Sequence, residues 1–152
     1  MLAHTFYAIA IVASLGWFGS GFRTFSFRHH FAASLLFPKS ARGTPALLTM
    51  AAAIRFLGGM NGALCLFCFI LLGAMIADAS LFSEPAERAA ILAVLGAAHF
   101  SQFVFNVPVL NLRDVRGEAY WDVLSGRMYF IFVMDAAQAG LCAMAIGAQI
   151  FG

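Results

Sequence analysis

Phe56–Ala77 reads FLGGMNGALCLFCFILLGAMIA, lies between Arg55 and Asp78, and contains no Asp, Glu, Lys or Arg. At 1.5 Å per residue a helix of this length covers roughly 30 Å, the thickness of the hydrocarbon layer of a bilayer. Lipid offers no partner for open backbone groups, so a run that crosses it closes its hydrogen bonds within a helix.

Three further runs have the same character. Leu2–Phe22 is apolar and is followed by Arg23, Arg28, His29 and His30. Ala89–Val107 ends at Pro108, and Met128–Phe151 follows Arg127. Thr44-Pro45 places a capping residue before a proline at the first helical position, and Ser83 with Pro85 does the same for the third run. The sequence therefore predicts helices over 2–22, 45–77, 85–107 and 127–151, in one domain with no repeat and no long linker. The opening run has no leading Lys or Arg and no convincing cleavage site, so it is expected to be a retained helix rather than a signal peptide.

Of the 152 residues, 62% are hydrophobic and 11% charged, with a mean hydropathy of +0.89. A soluble fold of this length could not hide so much apolar surface. The expected class is an all-α membrane protein, a bundle of four transmembrane helices. Within the first loop, Phe31–Phe37 is too short to span and is flanked by His30 and Lys39, so an interfacial helix stopped by Pro38 is expected there.

Orientation follows from the basic residues of short loops. Arg23, Arg28, Lys39, Arg42, Arg55, Arg113, Arg116 and Arg127 fall on one side of the four spans, and Arg88 alone on the other. That bias puts the first and third loops in the cytoplasm and both termini outside it, in what is expected to be a bacterial inner membrane. The net charge of +2 and the absence of a basic run argue against a nucleic-acid partner. The expected partners are the lipid bilayer and either other membrane subunits or a hydrophobic ligand.

Polar side chains within spans are expensive, about 2.5 to 3.5 kcal/mol for a charge at mid-helix, so they mark the candidate site. His99, Gln102 and Asn106 recur at i, i+3, i+7 and share roughly 60° of arc on the third helix. Asp135, Gln138 and Cys142 repeat the spacing on the fourth, and Asn61, Cys65 and Cys68 line one side of the second. Counted from the inner boundary, Asn61, Gln102, Asp135 and His99 lie about 9 to 13 Å deep and are able to meet.

Two readings compete for this cluster. In one, His99 and Asp135 are a catalytic or proton-accepting pair, oriented by Gln102 and Asn61 and open to a substrate or proton path. In the other, they belong to an interhelical network whose bonds contribute about 0.6 kcal/mol each on average. A buried carboxyl needs a partner such as His99, or a proton of its own.

The spacing Cys65-Leu66-Phe67-Cys68 supplies at most two metal ligands and fits packing better, so no metal is assigned. The residues identify no cofactor, since His4, His29 and His30 are at other depths than His99 and leave a haem without a second axial histidine. Gly58-x-x-x-Gly62 allows close helix approach, within this bundle in preference to a dimer. No zinc-helix, phosphate-loop or voltage-sensor motif occurs. Two functions follow from these readings. The first is a non-catalytic subunit or accessory protein, or a bundle holding a hydrophobic ligand. The second is a small membrane enzyme or proton-coupled carrier for a lipid-like substrate, working through His99 and Asp135.

Overall fold

The computed structural model describes residues 2–79 and 81–152. Among these, 79% of the chain is helical and no strand forms. The helices are α1 (Leu2–Phe27), α2 (His29–Leu35), α3 (Pro45–Ala53), α4 (Arg55–Ile76), α5 (Pro85–Asn106) and α6 (Gly126–Phe151). Four stretches are long and apolar enough to cross a membrane: Leu2–Phe27, Pro45–Ile76, Pro85–Leu110 and Gly126–Phe151.

Several boundaries differ from those read off the sequence. α1 continues to Phe27 rather than ending at Phe22, because Arg23 is exposed and its long side chain leaves the helical backbone undisturbed. The second span is divided at Ile54 into α3 and α4. Thr44 does precede Pro45, yet its hydroxyl donates to the Ala41 carbonyl at 2.7 Å and caps nothing in α3. α5 is capped by Glu84, not Ser83: the Glu84 carboxylate accepts from the backbone of Glu87, and the Glu87 carboxylate accepts from that of Glu84. α2 occupies the first loop and ends before Pro38.

Packing pairs the helices two by two. α1 runs along α4, α5 runs along α6, and α1 also contacts α6, which joins the pairs. The α1–α4 approach is set by glycine. A Cβ on Gly58 would overlap Ser26, and one on Gly21 would fall 2.5 Å from Asn61 Oδ1. Both Gly58 and Gly62 therefore face α1. α4 and α5 are not among the closely paired helices, although Leu71 of α4 shares the core with Leu92 and Leu95 of α5.

Contacts at the two ends fix the alternation of helix direction. At one end Ser40 donates to Glu118 and the Arg127 guanidinium lies 4.7 Å above the Phe31 ring, so the first and third loops meet. At the other end Gln149 Nε2 donates to the Ala3 carbonyl at 2.7 Å and Arg88 lies 3.3 Å from His4. The core between these ends holds Tyr7, Ile11, Phe18, Leu71, Leu92 and Leu95. Only between 17% and 28% of the most apolar part of each span is buried inside the protein. The remainder, including Leu66, Phe69, Phe100 and Phe130, forms an apolar outer surface.

Candidate functional site

One face of α6 carries Asp135, Gln138, Cys142, Ala145 and Gln149, spaced by three or four residues and all buried. That face is turned toward α1. Asp135 Oδ1 accepts from the Trp17 indole at 2.8 Å, and Gln138 Nε2 donates to the Ala13 carbonyl at 3.2 Å. With the Gln149 bond to Ala3, α6 offers three polar side chains to α1 along its length. Each replaces hydration with a defined partner in a low-dielectric interior.

His99 enters the same layer from α5. Its Nε2 lies 3.1 Å from Ser14 Oγ, its ring stacks on Phe18 at 4.6 Å, and its Nδ1 lies 3.8 Å from Asp135 Oδ1. The last distance is that of an ion-pair contact and exceeds a hydrogen bond. His99, Asp135 and Ser14 are all 0% exposed. Hydroxyl, imidazole and carboxylate stand in the order used by nucleophilic relays. Here, however, Ser14 and His99 border neither of the cavities that flank the cluster. A substrate in either cavity does not reach the hydroxyl.

Among the described residues neither Asn61 nor Gln102, expected to orient His99 and Asp135, is hydrogen-bonded to them. Asn61 is buried, but its Nδ2 donates to its own helix at Leu57 O, 2.8 Å away. Gln102 is half-buried, and its backbone carbonyl accepts from Asn106 Nδ2 at 2.7 Å. Asn106 Oδ1 accepts from the Trp121 indole at 3.0 Å. Orientation comes instead from α1, through Ser14, Trp17 and Phe18, which the sequence reading did not single out. Their signal was available: Ser14, Trp17, Phe18 and Gly21 follow one helical face, and an indole N–H inside an apolar run needs an acceptor.

Asn61, Gln102, Asn106 and Asp135 do come together around a cavity of about 510 Å³ between α4 and α5. Its walls are largely apolar, with Met60 and Leu64 on one side and Ala98 and Phe105 on the other. Asp135 Oδ2 and His99 Nδ1 are buried without a hydrogen-bond partner, and of the two residues Asp135 borders this cavity. A second cavity of about 210 Å³ lies on the α1–α6 side and shares Phe25, Leu35, Asn61, Gln102 and Ile131 with the first.

Cys65, Cys68 and Cys142 are free thiols. Among the described residues no group of three His, Cys, Asp or Glu side chains is placed to hold a metal ion. Compared with protein-family models, with curated proteins and with solved structures, the chain matches none.

Proposed function

We propose that the chain is an integral membrane protein of four crossings that holds a hydrophobic, lipid-like ligand between α4 and α5. The observation that carries this reading is the cavity of about 510 Å³, apolar in its walls and supplied with Asn61, Gln102, Asn106 and Asp135. Ligand sites combine a mainly apolar lining with a few polar groups that set orientation. An amphiphile with a hydroxyl or amide head would meet Gln102, which is half-buried in the cavity wall beside the sealed Asp135. The apolar outer surface of the four long helices supports placement in a bilayer. The distribution of Lys and Arg supports cytoplasmic first and third loops, with both termini on the far side.

The sealed state of His99 separates this reading from that of an enzyme or proton-coupled carrier. Both of its nitrogens face protein groups and its ring lies against Phe18. In this reading the pair holds α5, α6 and α1 together, and the ligand is bound rather than transformed.

Native mass spectrometry of protein extracted in mild detergent tests the proposal. The wild type is expected to retain one more amphiphile per chain than Ala98→Phe, in which the new side chain occupies the cavity. Equal retention by both proteins would place the bound molecule elsewhere, and co-purification of a partner chain in its stead would favour the accessory-subunit role.

A further inference from the structure

At the end of the bundle where the first and third loops meet, Arg28, His29, His30 and Arg127 border one open cleft of about 410 Å³, flanked by Phe27 and Phe31. His29 is anchored by Nδ1, 3.2 Å from the Ser26 carbonyl, and its ring lies 4.6 Å from that of His30. Among the described residues neither Arg28 nor Arg127 forms an ion pair. The carboxylates of the adjoining cavity are engaged with hydroxyl groups. Glu118 and Asp122 border a different cavity beside Arg127, where they accept from Ser40 and Ser125. Four cationic or protonatable side chains thus share a cleft that contains no acid.

The cleft adjoins an apolar space. Arg127 and Phe31, stacked on each other, also line the cavity of about 210 Å³ bordered by Trp17, Phe25, Phe130 and Ile131. A charged cleft beside an apolar cavity matches a molecule with an anionic head and a hydrocarbon tail. We propose that this cleft binds the headgroup of an anionic membrane phospholipid, with an acyl chain in the cavity beside Trp17. A free phosphate would leave the apolar part unfilled, and a zwitterionic head would bring an ammonium toward the same four side chains. Basic pockets of this kind at the cytoplasmic surface recognise anionic lipids. The site rests on the membrane placement given above; its headgroup cleft shares no lining residue with the α4–α5 cavity, although its apolar part meets that cavity at Phe25, Leu35, Asn61, Gln102 and Ile131.

The test uses Trp121→Phe protein, in which Trp17 is the sole tryptophan, reconstituted in phosphatidylcholine with increasing fractions of acyl-brominated lipid. Brominated phosphatidylglycerol is expected to quench Trp17 at much lower mole fraction than brominated phosphatidylcholine. Arg28→Gln and Arg127→Gln should each reduce that preference about fivefold, while Arg116→Gln, which removes the same charge from the third loop, should leave it unchanged. Equal quenching by the two lipids, or no quenching of Trp17 by either, would overturn the proposal while leaving the membrane placement standing, since Trp17 lines an internal cavity. A loss as large in Arg116→Gln would reduce the effect to general surface charge and overturn the site. Abolition of the preference by millimolar inorganic phosphate would assign the cleft to a soluble anion and overturn the lipid. Because Arg127 also packs on Phe31, phosphatidylglycerol retained in native mass spectra of Arg28→Gln protein gives an independent reading, and full retention there would count against the site.

Discussion

Replacing Trp17 by phenylalanine removes the N–H that reaches Asp135 Oδ1 and keeps the ring that packs edge-on against Phe130. The carboxyl group is then left with His99 Nδ1 at 3.8 Å and an Oδ2 that already has no partner. An unsatisfied buried group costs about 1 to 3 kcal/mol, so Trp17→Phe should lower the midpoint of unfolding in detergent by that equivalent. An unchanged midpoint would show that the indole bond contributes little. His99→Ala and Asp135→Asn should each destabilise as well, and their double mutant should lose less than the sum, with a coupling of roughly 0.5 to 3 kcal/mol. Strict additivity would argue against direct contact. At this scale the sequence made His99 and Asp135 legible because lipid penalises them heavily. Ser14 and Trp17 escaped notice because hydroxyl and indole groups are inexpensive in apolar runs. Gln149 escaped too, for it sits near the chain end, where a polar residue is expected at the headgroups.

Helices 1 and 4 approach closely because glycine occupies their contact, and the neighbouring glycine provides a control. Gly58→Ala would place a methyl group against the backbone of Ser26 and Phe25, whereas Gly59→Ala meets nothing within 4 Å. Overpacking typically costs about 1 to 3 kcal/mol. Gly58→Ala should therefore destabilise the bundle, and Gly59→Ala should be neutral or stabilising, since alanine favours helix over glycine. Equal effects would contradict the observed face of α4. The four long helices were legible from run length alone, because the bilayer dimension sets it. The break at Ile54 was not, since its backbone stays helical and no proline or glycine marks it. The pairing of helices was also hidden: small residues on several faces allow more than one arrangement, and only the fit of particular side chains decides that α4 and α5 stand apart.

The whole molecule presents an apolar belt between two polar ends, with eight of nine basic residues belonging to the end that carries the first and third loops. Reporter fusions after Gly43 and after Gly152 should behave oppositely, the first as cytoplasmic and the second as external. Matching behaviour would break the four-crossing account. Whether the cavity between α4 and α5 holds a small amphiphile or a partner helix is read by a photo-crosslinking residue at Leu64, which is half-buried and borders the cavity, compared in native membranes with one at Phe69 on the outer surface. A discrete adduct of lipid-like mass is expected at position 64, absent from position 69 and lost in the Ala98→Phe background. A cross-link from position 64 to another protein, or the same bulk-lipid adducts from both positions, would rule the amphiphile out.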